Sequence, residues 1–198
     1  MKKHEDIVNR VIAEDSSKNL NLDFSATAKI VPVYTDKWME MRIITDDDND
    51  VHGYSYSHEK SCDGKKIVIL PFRRENNGTE YLLRREVTPC WGLKPVVSSI
   101  TGGYEGGDLI DTVVKELQEE AGYLVDKNDI IHLDSMFGIK SSDTIYFIYT
   151  VDLTGKQKGE ATGDGSELEK KAYCYWTKDI SQAKDPFVYA AFVKLQNR

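Results

Sequence analysis

Apolar and polar residues alternate in short runs along most of this chain, and the runs predict strands. Lys29–Tyr34 and Trp38–Ile44 read as a strand pair, with Tyr54–Ser57 as a further strand. Lys66–Phe72 is a compact apolar run, as expected of a buried strand. Asn76-Asn77-Gly78 is a hairpin turn, and Tyr81–Arg85 is the partner strand. Ile130–Phe137, Thr144–Val151 and Ala172–Trp176 complete the set.

Three stretches follow a helical period instead. Ile7, Val8, Val11 and Ile12 form a stripe that predicts a short amphipathic helix over residues 4–14, followed by a polar linker at 15–23. Ile110, Val113, Val114, Leu117 and Ala121 predict a second helix, with Asp108 as N-cap and Gly122 as the C-terminal stop. Asp185-Pro186 opens a third, which carries Phe187, Val188, Ala191, Phe192 and Leu195. Strands alternating with helices predict a mixed sheet flanked by helices.

The second helix carries an unusual charge pattern. Glu116, Glu119 and Glu120 fall within an arc of about 100° beside the apolar face. Glu116 and Glu120 are a like-charge pair at i,i+4, which costs about 0.2–0.5 kcal/mol. A hard divalent cation reverses that penalty, because it takes oxygen ligands. A solvated acidic helix between two caps would show the same pattern. The segment before it, Ser98 to Gly107, reads as a glycine-rich turn that lets backbone approach a ligand closely.

On these residues the chain resembles the Nudix hydrolases. The family box is Gly-x5-Glu-x7-Arg-Glu-U-x-Glu-Glu-x-Gly-U, with U a bulky apolar residue. Here it reads Gly102-x5-Asp108-x6-Lys115-Glu116-Leu117-x-Glu119-Glu120-x-Gly122-Tyr123. Asp stands in place of Glu, Lys in place of Arg, and the spacer is one residue short. The resemblance implies an α/β fold, the Nudix-type α/β/α sandwich with a mixed sheet, over residues 64–198. Residues 1–60 would be an N-terminal helix and a small β-rich extension. The layout looks most like the ADP-ribose and nucleoside-diphosphate-sugar pyrophosphatases, which carry such an extension, an acidic loop before the last strand, and a C-terminal helix.

The resemblance also implies roles. Glu116, Glu119 and Glu120 would hold Mg²⁺ or Mn²⁺, with the Thr101 carbonyl as a further ligand. Glu119 and Glu120 would be catalytic. Glu167, in the acidic polar stretch Thr154–Lys171, would be the general base, with Glu160, Asp164 and Glu169 as alternatives. Arg84, Arg85, Gly102 and Gly103 would meet the substrate phosphates, although a solvated strand edge explains the arginines nearly as well. Trp38 would stack on the base; Tyr54, Tyr56 and Trp91 are alternatives, and core packing is the competing reading for all four. Lys115 would pair with Asp111 or Glu119. The implied partners are a small nucleotide substrate and a second copy of the chain, with residues 24–60 helping to build the partner's pocket. A triphosphate pyrophosphohydrolase and a non-catalytic nucleotide sensor are the competing functions.

Composition narrows the field. The 198 residues suffice for one good core. A net charge of −7 argues against nucleic acid and anionic membrane as partners. The start, Met-Lys-Lys-His-Glu-Asp, lacks the apolar stretch of a signal peptide. Cys62, Cys90 and Cys174 are odd in number and widely spaced, which fits reduced thiols in the cytoplasm. His4, His52, His58 and His132 show no ligand spacing. The run Asp46-Asp47-Asp48-Asn49-Asp50 reads as a solvated turn, or as an acidic cluster able to bind a cation.

Overall fold

The computed structural model describes residues 25–163, 165 and 167–198. The helix expected at 4–14 and its linker lie outside the described residues. Strands β1 (Lys29–Thr35), β2 (Met39–Asp46) and β3 (Val51–Glu59) form an antiparallel sheet in that order. The acidic run makes the β2–β3 turn, but it is not wholly solvated. Asp46 is buried and accepts hydrogen bonds from Ser25 Oγ (2.6 Å), Asn49 Nδ2 (2.9 Å) and Thr27 Oγ1 (3.0 Å). These donors, Ser25 foremost, hold its carboxyl at about 2.

The apolar run expected as one strand at 66–72 is two, β4 (Lys65–Ile69) and β5 (Phe72–Glu75). Pro71 is the cause: it has no N–H to continue a ladder. Leu70 N donates to the Tyr149 carbonyl (3.0 Å), whereas the Pro71 carbonyl accepts from Leu82 N (2.9 Å). The chain thus changes sheets at this dipeptide. Glu75 pairs with Gly78, so Asn76-Asn77 is a two-residue turn into β6 (Gly78–Glu86). The region expected as a glycine-rich turn is largely extended, as β7 (Val96–Ser98) and β8 (Ile100–Gly103). The remaining elements are helix α1 (Leu109–Ala121), β9 (Ile130–Phe137), β10 (Ile145–Val151), β11 (Tyr173–Thr177) and helix α2 (Pro186–Gln196).

One sheet has the order β8-β4-β10-β9 and is mixed, with β4 and β10 parallel. The other has the order β11-β6-β5, with β7 added to β6. Strand β4 shows how the layers form. Side chains alternate between faces, and both faces of β4 are buried. Ile67 and Ile69 pack in one core with Val113, Leu117 and Ala121 of α1. Val68 and Leu70 pack in a second core with Val188 and Ala191 of α2. A helix therefore covers each side of the sheets. Leu117 is fully buried, so Leu117→Ala would cost about 2–5 kcal/mol. That anchoring fixes the acidic edge of α1 against the sheets.

The N-terminal sheet is tied to the segment between β9 and β10. Tyr54 Oη donates to the Lys140 carbonyl (2.5 Å), and Ser57 N donates to the Ser141 carbonyl (2.8 Å). His58 Nδ1 lies 2.9 Å from Asp143 Oδ2, so this histidine has a structural role that its spacing did not show. Among the described residues no helix is long and apolar enough to cross a membrane.

Candidate functional site

Helix α1 begins and ends where its caps require. The Asp108 side chain accepts from Ile110 N at 3.0 Å. Gly122 adopts φ 75°, its N–H reaches the Gln118 carbonyl, and Tyr123 N reaches the Leu117 carbonyl, each at 3.0 Å. This is a Schellman ending, which needs a left-handed residue after the helix. With Val113, Leu117 and Ala121 fully buried, the neighbouring arc of Glu116 and Glu120 lies along the crevice between helix and strands.

Glu116 rests directly on β8. A Cβ at Gly102 would sit 2.5 Å from Glu116 Cγ and 2.6 Å from Cδ, so only glycine permits this approach. Thr101, half-buried, precedes it in the same strand and pairs with Val68. At Gly103 a Cβ would come within 3.2 Å of Cys62 Cβ. The Gly102 backbone and the Glu116 side chain are thereby brought into close contact.

Glu120 faces the other sheet. Arg84 of β6 reaches it with Nη1 at 2.7 Å from Oε1. Arg84 Nε also donates to Glu86 Oε2 at 3.0 Å, and Ser98 Oγ donates to Glu86 Oε1 at 2.9 Å. The Arg84 and Glu120 side chains are only 5% and 8% exposed, so this is a buried ion pair and not a solvated strand edge. Glu86 and Ser98 escaped sequence reasoning. The available signal was the i,i+2 spacing of Arg84 and Glu86, which puts both on one face of a strand. Arg85 is half-buried and lies opposite Tyr173 and Val97 in register.

Lys115 does not pair with Asp111 or Glu119. Its Nζ bonds Glu105 Oε2 at 2.6 Å, a contact that raises its pKa, and Asp111 pairs with Lys127. Glu119 is half-buried, and its carbonyl accepts from Gly163 N at 2.9 Å. Gly159 N donates to the Gly122 carbonyl at 2.8 Å. The acidic polar stretch is thus stitched across the C-terminal end of α1. Within it, Glu167 is 82% exposed and pairs with Lys170, and Glu160 is exposed. Asp164 lies outside the described residues. Trp38, in the β1–β2 turn, is 58% exposed, with the Lys37 ammonium 4.4 Å from its ring centre. Tyr56 is buried, whereas Tyr54 and Trp91 are exposed.

The described cysteines are free thiols. Cys174 Sγ lies 3.5 Å from the Glu120 carbonyl, and burial pushes its thiol up to about 12, which disarms it as a nucleophile.

The chain shares its fold with the crystal structure of an ADP compounds hydrolase. The TM-score is 0.59 at 12% identity, over 85% of this chain and 90% of that one. The α/β sandwich with mixed sheet and N-terminal β extension is therefore the architecture expected from the sequence. No family model matches the chain, and no curated protein matches its sequence.

The donor chemistry around α1 suits a hard cation: carboxylates of Glu116, Glu119 and Glu120, and the Thr101 carbonyl. The space at Gly102 suits it too, because it lets Glu116 lie against the strand backbone. Among the described residues no three His, Cys, Asp or Glu side chains are grouped closely enough to hold a metal, and Glu120 is engaged by Arg84.

Proposed function

We propose that this chain hydrolyses the pyrophosphate bond of a nucleoside-diphosphate-linked compound, ADP-ribose or a nucleotide sugar. The observation that carries the reading is the α1 edge. Glu116 lies against β8 at Gly102, where a Cβ would displace its side chain, one turn from a Glu120 carboxylate that is buried against Arg84. A surface helix with incidental charge needs neither arrangement. The shared fold with an ADP compounds hydrolase supports the substrate class.

Mg²⁺ or Mn²⁺, held by Glu116, Glu119, Glu120 and the Thr101 carbonyl, would supply positive charge to the phosphate oxygens and activate water. The remaining work falls to side chains of this chain. Arg84 and Arg85 bring cationic donors to the phosphates, and Gly102 and Gly103 let the backbone come close. Trp38 offers a stacking face for the base. Glu167, or failing it Glu119, takes the proton of the water that attacks phosphorus. The bond to the bridging oxygen then breaks, and two monophosphates leave. Residues 24–60, which hold the β1–β3 sheet, belong to a homodimer in which they help build the partner's pocket. The protein works in the cytoplasm.

A second reading, a nucleotide sensor that binds without hydrolysis, is favoured by the box spacer between Asp108 and Lys115, which is one residue short. One assay separates the two. ADP-ribose, nucleotide sugars and nucleoside triphosphates are incubated with wild type and Glu120→Gln in Mg²⁺ or Mn²⁺, and released monophosphate is scored. Release from diphosphate-linked compounds by wild type alone is the expected result. Preference for triphosphates, turnover by the variant at the wild-type rate, or binding without turnover refutes the proposal.

A further inference from the structure

We propose that Arg84 is a built-in counter-cation for Glu120, which it must release for a divalent metal to bind there. The inference rests on the metal-dependent reading above. Glu120 is a buried carboxylate, and burying such a charge without a cation is costly. Arg84 meets that need with Nη1 at 2.7 Å. A guanidinium and a dication seek the same carboxylate and repel each other, so their occupancies oppose.

The second half of the device is the tether. Arg84 Nε is held by Glu86 Oε2 at 3.0 Å, and Glu86 is itself fixed by Ser98 Oγ at 2.9 Å. An Arg84 released from Glu120 therefore pivots about its Nε end and stays in the crevice. The Nη1 turned away from Glu120 would then meet an anion, and a guanidinium fork matches paired phosphate oxygens. Metal loading would convert Arg84 from internal counter-ion to phosphate ligand. Metal and diphosphate should then favour each other's binding, and the coupling must be reciprocal.

The test uses the full chain. Mg²⁺ is titrated calorimetrically into wild type and Arg84→Met, and the side-chain N–H signals of Arg84 are followed by NMR in ¹⁵N-arginine-labelled wild type. The variant should bind Mg²⁺ about fivefold tighter or better, within the usual span of site coupling. In EDTA it should melt below wild type, and it should gain more from Mg²⁺. The Arg84 guanidinium signals should be dispersed in EDTA, averaged at saturating Mg²⁺, and dispersed again when inorganic pyrophosphate is added. Equal or weaker Mg²⁺ binding by a folded variant overturns the proposal. So do Arg84 signals that stay in place at saturating Mg²⁺, since a charge effect acting at a distance would leave them there. If the variant does not fold, the wild-type signals decide alone. Uptake of Mg²⁺ with Arg84 unmoved sinks only this inference. No uptake by either protein sinks the metal-dependent reading with it.

Discussion

Gly102→Ala tests whether the acidic helix is seated on β8 as described. The new Cβ would lie 2.5 Å from Glu116 Cγ and 2.6 Å from Cδ, where ordinary carbon contacts begin at roughly 3.5 Å. About 1 Å of movement is therefore required. The backbone at Gly102 is not left-handed, so the substitution is a purely steric probe. Helix α1 resists moving as a body, because Val113, Leu117 and Ala121 are fully buried. The side chain of Glu116 must then turn away, or the helix must lift from the strand. Overpacking of this kind costs about 1–3 kcal/mol. For a chain of this size that is a fall in Tm of roughly 2–12 °C. Thermal melts with and without Mg²⁺ read both consequences: a lower Tm, and a smaller Mg²⁺-induced rise. Gly103→Ala is the comparison. Its Cβ meets Cys62 Cβ at 3.2 Å, so a lesser fall is expected. A Gly102→Ala protein that melts within about 1 °C of wild type with the same Mg²⁺ response would refute the seating.

Three further outcomes are expected. Glu167→Gln should lower kcat by about 10²–10⁴-fold with a smaller change in KM; if it, Glu160→Gln, Glu169→Gln and Asp164→Asn all keep wild-type kcat, the base lies outside the loop and Glu119 becomes the better candidate. Val31, Val33 and Tyr34 of β1 are 55%, 58% and 57% exposed, so light scattering should show a dimer at micromolar concentration, and Val33→Glu should give a monomer; a monomeric wild type contradicts the assembly. Asp46 is a depressed carboxyl, from 3.8 to about 2, so its contribution is complete above about pH 4 and is lost as the pH falls through about 2; an NMR midpoint for Asp46 near the ordinary value would refute its hydrogen-bonded burial.

What the sequence revealed, it revealed through local periodicity and caps. Asp108, Gly122 and Asp185 mark helix ends because capping depends on residues a few positions apart. The alternation of Ile67 and Ile69 against Val68 and Leu70 shows in the run itself, although which helix covers each face does not. Two features depart from the local pattern. Pro71 interrupts an apolar run without changing its hydrophobicity, so the run reads as one strand where the chain switches sheets. Glycines at 102 and 103 read as turn, yet there they permit close packing within an extended strand. The box singles out Glu116 and Glu120, but not what they touch. Arg84 meets Glu120 across 36 positions, and His58 meets Asp143 across 85, pairings set by topology and not by local pattern.

The most direct test of the metal-dependent reading is anomalous diffraction from crystals of the chain grown with Mn²⁺. The expected result is a peak within about 2.5 Å of carboxylate oxygens of Glu116 and Glu120, beside the Thr101 carbonyl. It should be absent from Glu120→Gln crystals grown alongside. A peak at the acidic turn of residues 46–50, or none on α1 at saturating Mn²⁺, would contradict it.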